Sequence, residues 1–182
     1  MEVQVERMRI FRRRNIVQQD TAEMQGDREL PKVRSFPFGA DRTDIHHVEK
    51  LIIDKYLGIP YKHRGREMDG LDCWGFLKFV YADLGFRLFD IEDLEYGQAW
   101  GLRNKDYFKE NYVNDWERSA IPEVLDGVLF LNSRGVANHA GIVFKDRKFI
   151  HCCRAGVIVS RLDDDSWKKR IEGFYRLRNK AW

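Results

Sequence analysis

The strongest constraint on the fold of this chain is a change of hydrophobic period near residue 126. Before it, apolar residues recur at steps of three and four, which predicts amphipathic helices over 44–56 and 72–84. After it, short apolar segments alternate with polar or glycine-containing turns, which predicts consecutive strands. These segments are 127–131, 139–144, 148–152, 157–162 and 173–177. Helices followed by a run of strands predict an α+β domain with an antiparallel sheet.

The length of the chain is that of one compact domain with an extension. With 182 residues and 43% hydrophobic content, the chain can bury a substantial core. Residues 1–44 mix charges with proline and glycine and show no sustained period, so we expect an N-terminal extension that either wraps the domain or stays mobile. The folded domain is expected at 45–182, with a further polar helix around 106–118.

Charge and apolar content argue against several classes of protein. A net charge of +3 is too small to favour a dedicated nucleic-acid binder. No apolar run approaches the roughly 18 residues of a membrane span. The start, MEVQVERMRIFRRRN, lacks the apolar stretch of a secretory signal, so we expect synthesis in the cytoplasm without export by that route. Three cysteines, two of them adjacent, do not form a disulfide framework and predict reduced thiols.

Cys73 lies in the first turn of the second predicted helix. Unpaired backbone amides and the positive end of the helix dipole favour a thiolate over a thiol at such a position. The same amides can donate hydrogen bonds to the oxygen of a tetrahedral intermediate. We therefore predict that Cys73 is a nucleophile, although a lone cysteine is more often a small buried hydrophobic residue.

Two histidines lie on consecutive predicted strands, which are joined by a hairpin whose tip is near 145–147. An odd number of loop residues places the odd-numbered positions of both strands on one face, which groups His139, Gly141 and His151. An even loop would mix histidine with the core on both faces, so the hydrophobic pattern favours the odd loop. The opposite face then carries Ala140, Ile142, Phe144, Ile150 and Cys152.

The two imidazoles can complete a catalytic triad with Cys73. His139 can accept the thiol proton, while His151 accepts a hydrogen bond from His139 and fixes its tautomer. A zinc site that includes His151, Cys152 and Cys153 is the competing use, but neighbouring strand positions point to opposite faces and no C-x-x-C pair is present. We therefore expect no metal and no other cofactor. The alternative to a catalytic role is that each histidine is an ordinary polar residue, as a histidine at a strand edge more often is.

These motifs resemble the NlpC type of papain-like cell-wall cysteine peptidases. The resemblance covers about 45–177 and follows the order and spacing of the family's nucleophile, base and orienter segments. The nucleophile segment comprises Gly58-Ile59-Pro60-Tyr61, Gly65, Gly70, Asp72-Cys73 and Gly75-Phe76. The strand segments are Asn138-His139-Ala140-Gly141-Ile142-Val143 and Phe149-Ile150-His151.

The resemblance implies a papain-like α+β fold, with the nucleophile at a helix start packed on a five- or six-stranded antiparallel sheet. It implies Cys73 as nucleophile, His139 as base and His151 as third member, and it places Tyr61 and Asp72 near the free amine of the substrate. The implied reaction is hydrolysis of amide bonds in peptidoglycan stem peptides through a thioester, commonly between D-glutamate and the diamino acid.

Two positions depart from the family pattern and are expected to affect the substrate pocket. Arg64 stands where the family often has a glycine, and Trp74 stands where many members have serine. A Trp after the nucleophile is similar to a phage-encoded branch, which implies association with a phage tail, assembly through residues 1–44 and delivery to a host cell wall. Two alternatives stay open: a papain-like acyltransferase or hydrolase of another amide or ester, and a non-catalytic wall-binding or tail-structural protein.

Overall fold

The computed structural model describes residues 42–88, 107–112 and 115–178. Nearly all of the predicted N-terminal extension lies outside these residues. The helices within them are α1 (Arg42–Tyr56), α2 (Cys73–Asp83), α3 (Tyr107–Tyr112) and α4 (Asp165–Lys168). The strands are β1 (Arg66–Glu67), β2 (Gly70–Leu71), β3 (Trp116–Ser119), β4 (Gly127–Leu131), β5 (Ala137–Phe144), β6 (Lys148–Cys153), β7 (Gly156–Arg161) and β8 (Ile171–Leu177).

Six of these strands form one antiparallel sheet, in the order β3-β8-β4-β5-β6-β7. β1 and β2 form a separate antiparallel pair that precedes α2. The predicted α+β class and the predicted five- or six-stranded sheet are therefore confirmed. In the described parts of the chain, no helix has both the length and the apolar content needed to cross a membrane.

The two faces of the large sheet bury different sets of side chains. One face packs against α1 and α2 around residues such as Tyr56, Phe76 and Ile142, which are fully buried. The other face carries a smaller cluster formed by Val128, Phe130, Val143, Phe149 and Leu162, with Trp167 from α4 packed against it. Alternation along the strands explains both sets, since successive side chains point to opposite faces.

The prediction of a helix over 106–118 is wrong in its second half. α3 ends at Tyr112, and Trp116 begins β3, which pairs with the far end of β8 at Leu177. Trp116 is buried, and its ring meets the ring of Tyr81 edge to face at 5.0 Å. This partner is distant in sequence, so local periodicity carries no signal for the strand. α1 also begins at Arg42, ahead of the predicted cap at Asp44, a shift typical of helix ends.

The register of the β5–β6 hairpin is the one predicted from the apolar pattern. Phe144 pairs with Lys148 and Ile142 with Ile150, so the loop holds three residues, an odd number. A β-bulge in the β4–β5 pairing, which shifts between Phe130 and Leu131, lies next to His139 at the start of β5. Bulges bend a strand locally and re-aim its side chains, and here the bend occurs where a predicted catalytic residue enters the sheet.

The start of α2 is held against the β1–β2 hairpin by a close backbone approach at Gly75. A Cβ atom at this position would lie 2.1 Å from the carbonyl oxygen of Gly65 and 2.9 Å from Nη1 of Arg66. Only a residue without a side chain allows this contact. The glycine therefore fixes the position of Cys73 relative to the loop that precedes it.

We expect Gly75→Ala to destabilise the protein by about 2 kcal/mol or more, because the new methyl group would overlap backbone that cannot move freely. Helix propensity alone predicts the opposite sign, a gain of about 1 kcal/mol. Urea unfolding at pH 7 measures the change, and Ala82→Gly at an exposed position of the same helix calibrates the propensity effect. A Gly75→Ala protein as stable as the wild type would contradict the packing argument.

Candidate active site

Cys73 is the first residue of α2, and its position is set by the residue before it. Asp72 is the N-cap: its Oδ1 accepts a hydrogen bond of 2.6 Å from the backbone amide of Gly75 and one of 2.7 Å from Nη1 of Arg66. Cys73 itself is half-buried, and its sulfur receives a hydrogen bond from the backbone amide of Ala140. Since Ala140 follows His139 in β5, the thiol lies at the start of the strand that carries the predicted base.

The helix start favours a thiolate at Cys73, as predicted from its position, but burial acts in the opposite direction. Burial raises the pKa of the Cys73 thiol well above its ordinary value, and the nearby Asp72 carboxylate raises it further. The Ala140 amide and the Arg66 guanidinium lower this pKa but do not offset the effect of burial. The resting group is a neutral thiol, so nucleophilic attack requires a base that removes its proton.

A chain of hydrogen bonds links the two predicted histidines to a third residue. His139 Nε2 lies 2.8 Å from His151 Nδ1, and His151 Nε2 lies 3.0 Å from the hydroxyl oxygen of Ser160 on β7. No direct hydrogen bond joins Cys73 to His139 in the structure, although catalytic contacts of this kind often tighten only when substrate binds. Nδ1 of His139 is the ring nitrogen that His151 does not engage.

Aromatic rings enclose this histidine pair on several sides. The ring of Trp167 stacks on His139 at 5.3 Å and meets His151 edge to face at 4.8 Å. Phe149 stacks on His151 at 4.6 Å, and Phe130 lies 5.9 Å from His139. His151 is fully buried as a result. The enclosure limits the access of water to the hydrogen bond between the two imidazoles.

Burial therefore favours the neutral form of both imidazoles. It lowers the pKa of His151 to about 4. The pKa of His139 is lowered well below its ordinary value, first by burial and then by the charges of His151 and Arg170. A neutral imidazole has one ring nitrogen that accepts a proton and one that donates, as a general base requires.

The four residues predicted to bind substrate occupy different positions around Cys73. Tyr61 is 38% exposed, and its pKa is raised first by burial and then by its proximity to Cys73 and Asp72, so it lies near Cys73. Asp72 is buried and is already paired with Arg66. Trp74 is half-buried, and its ring meets that of Phe108 on α3 at 6.1 Å.

Arg64 is the fourth of these residues, and its side chain is exposed. Its φ of 57° lies in the left-handed region, where a glycine would be unstrained. This conformation accounts for the glycine found at the corresponding position of the resembled family. An arginine at this position therefore carries backbone strain that a glycine would not.

Sequence reasoning missed two residues of the site, Ser160 and Trp167. Ser160 stands in an ordinary strand segment, and only the register of β7 on β6 brings it close to His151. Trp167 is an isolated aromatic residue in a polar stretch, held by the short helix α4, whose N-cap is Asp164. An N-cap followed by a lone Trp was the available signal. Within the described residues, no group of three or more His, Cys, Asp or Glu is placed to hold a metal ion.

The buried neutral histidines make stability depend on pH. His151 has a pKa of about 4 in the folded chain, against an ordinary value of 6.5 when the chain is unfolded, so the unfolded state binds the proton more readily. The free energy of unfolding is therefore highest above pH 6.5 and falls as the pH drops towards 4, by about 3 kcal/mol for this group alone. His139 shifts in the same direction.

We expect His151→Asn to lose less stability than the wild type between pH 7 and 4, because asparagine keeps an acceptor for His139 without a titrating ring. Urea unfolding at several pH values in this window measures the difference. His47→Asn, at an exposed position of α1, is the matched control and should follow the wild type. Equal pH dependence in His151→Asn and the wild type would show that His151 is not a buried neutral group.

Several curated relatives are similar to this chain in sequence. The probable peptidoglycan endopeptidase LytE of Bacillus subtilis (strain 168) is 30% identical over 132 residues, which cover 71% of this chain and 34% of LytE. Gamma-DL-glutamyl hydrolase of the same organism is 28% identical, covering 81% of this chain and 32% of that protein. Murein DD-endopeptidase MepS/Murein LD-carboxypeptidase of Escherichia coli (strain K12) is 26% identical over a region that covers 74% of this chain and 65% of that protein. The chain spans about a third of the length of the first two relatives.

Solved structures share the fold. A Staphylococcus aureus protein of the NLP/P60 family, described as similar to a lipoprotein, gives a TM-score of 0.55 at 16% identity, covering 81% of this chain and 44% of that chain. NlpC2 from Trichomonas vaginalis gives 0.50 at 16% identity, covering 76% and 50%. The predicted papain-like α+β fold is thereby confirmed. The sequence model of the NlpC/P60 family matches residues 58–176, about two thirds of the chain. The chain therefore belongs to the NlpC/P60 family.

Proposed function

We propose that this protein hydrolyses amide bonds in the stem peptides of peptidoglycan, with Cys73 as nucleophile, His139 as general base and His151 as the residue that orients His139. The observation that carries the proposal is the partly buried His139–His151 hydrogen bond of 2.8 Å, on the strand whose Ala140 amide contacts the sulfur of Cys73. Relatives named as a peptidoglycan endopeptidase and as a murein endopeptidase support the substrate class.

The proposed reaction begins with a neutral thiol and a neutral imidazole. His139 Nδ1 accepts the proton of Cys73 as the sulfur attacks the carbonyl carbon of the scissile amide. Backbone amides at the start of α2 donate to the oxyanion of the tetrahedral intermediate. Protonated His139 then passes its proton to the leaving amine as the C–N bond breaks, which leaves a thioester on Cys73. Water attacks the thioester while His139 accepts its proton. The C–S bond then breaks, His139 returns the proton to the sulfur, and the carboxylic acid product leaves.

The hydrogen bond to His151 is compatible with the tautomer of His139 that this reaction needs. When His139 Nε2 carries a proton and donates it to His151 Nδ1, the other nitrogen of His139 is an unprotonated acceptor. The surrounding rings exclude water, so the bond acts in a medium of low dielectric constant and holds the ring in place. The same enclosure penalises a full imidazolium, so the proton resides on His139 only briefly.

For the bond that is cut, we propose the link between D-glutamate and the diamino acid. Gamma-DL-glutamyl hydrolase, by its name, acts on a glutamyl bond, whereas MepS is named as a DD-endopeptidase and LD-carboxypeptidase, so relatives differ in the bond they cleave. In this proposal, Tyr61 and Asp72 face the free amine of a short stem peptide, which their proximity to Cys73 supports. The Arg66–Asp72 ion pair would have to share its carboxylate with that amine.

The phage-tail context, including assembly through residues 1–44 and delivery to a host wall, stays a prediction from the resemblance of Trp74. An acyltransferase and a non-catalytic wall-binding protein are the competing functions. Both retain the fold, and they differ in whether Cys73 reacts and whether a stem peptide is cleaved.

We expect Cys73→Ala to reduce cleavage of purified stem peptides by at least about a thousandfold, because no other group can form the thioester. Mass spectrometry of the digest identifies the bond, and circular dichroism checks that the variant is folded. Cys153→Ala, which removes a half-buried thiol elsewhere, is the matched control and should remain active. Cleavage at the wild-type rate by Cys73→Ala would end the proposal, and acyl labelling of Cys73 without cleavage would favour the acyltransferase.

We expect the acidic limb of kcat/KM to lie below the ordinary histidine range, because a base with a lowered pKa stays unprotonated in mild acid. Trp167→Ala should move this limb to higher pH, since water entering the enclosure raises both pKa values towards 6.5. Trp167→Phe keeps an aromatic cover and should resemble the wild type. A limb that stays in place in Trp167→Ala would show that the ring does not control the titration.

A further inference from the structure

We propose that Ser160 is a positioning residue that selects the catalytically competent tautomer of the His139–His151 pair. The inference rests on the proposed function for its catalytic consequence, but the tautomer itself is a property of the free protein. Ser160 would act as the final acceptor of a directed chain of hydrogen bonds that begins at His139.

The geometry places Ser160 at the end of this chain and on the correct face of the sheet. In the β6–β7 ladder, Ser160 is paired with Phe149, while His151 is paired with Ile158. Residues two apart in a strand share a face, so Ser160 lies on the same face as His151 and diagonal to it. The hydroxyl oxygen is 3.0 Å from His151 Nε2, within the range of a good hydrogen bond.

Two proton arrangements are compatible with the heavy-atom positions. In the first, His139 Nε2–H donates to His151 Nδ1 and His151 Nε2–H donates to the Ser160 hydroxyl. In the second, every proton is reversed: Ser160 donates to His151 Nε2, and His151 Nδ1–H donates to His139 Nε2. His139 would then carry its proton on Nδ1 and have no site for the proton of Cys73, so only the first arrangement supports catalysis.

Ser160 matters because His151 is fully buried, so its Nε2 depends on a partner from the protein. Without the hydroxyl, a proton on His151 Nε2 would be a buried donor with no partner, which is unfavourable. The ring can avoid this by moving its proton to Nδ1, where it donates to His139. That shift imposes the inactive tautomer on His139, which then cannot accept the proton of Cys73. The Ser160 hydroxyl would thus affect the reactivity of Cys73 without contacting it.

The test uses the full-length protein with Ser160→Ala and Ser160→Thr, and Ser119→Ala on β3 as the matched control. Long-range ¹H–¹⁵N spectra of the histidine side chains at pH 7 report which ring nitrogen carries the proton, and they require no substrate. Stem-peptide hydrolysis then gives kcat and KM separately. Circular dichroism confirms that each variant is folded.

We expect Ser160→Ala to move the His151 proton to Nδ1 and to lower kcat by about tenfold or more, with KM changed by less than about twofold. Ser160→Thr, which restores a hydroxyl, and Ser119→Ala should keep the wild-type tautomer and kcat. An unchanged tautomer in Ser160→Ala would overturn the inference, even if kcat fell. If the wild type cleaves no stem peptide, the proposed function fails, while the spectra still decide the role of Ser160.

Discussion

The proposed chemistry depends on the hydrogen bond between His139 and His151. The surrounding fold limits the access of water to this bond and orients its two rings. Its two partners sit on adjacent strands of one hairpin, at a separation of 2.8 Å between ring nitrogens. Rings from two strands and from α4 cover it. A buried polar group without a hydrogen-bond partner is energetically costly. Burial therefore strengthens this bond, and it also makes the removal of either histidine unfavourable for the other.

Burial also decides the protonation state of the nucleophile. The start of α2 supplies amides and a dipole that favour negative charge on Cys73, but desolvation and the Asp72 carboxylate have the larger effect and leave a neutral thiol. In the proposed reaction, the helix start therefore contributes most where charge develops, at the sulfur and at the substrate oxygen. Activation of Cys73 in that proposal depends on the neutral imidazole of His139.

The parts of the site that sequence reasoning found are those that local rules control. The helix that begins at Cys73 and the odd hairpin loop that groups His139 with His151 both follow from apolar patterns within a few residues. The strand at Trp116, the hydroxyl of Ser160 and the ring of Trp167 escaped because each acquires its role from a partner that only folding brings near. A single serine or tryptophan forms no repeating sequence pattern that would predict its role in the site.

The sequence by itself determined the fold class, the family and the identities of the candidate nucleophile and its two histidines. These follow from residue order and hydrophobic period, which the chain carries whether or not it is folded. Only the tertiary structure decided the titration of the site, since the pKa values of Cys73, His139 and His151 depend on how much water the assembled fold excludes. Solvation is a property of the packed molecule, and no residue encodes it alone.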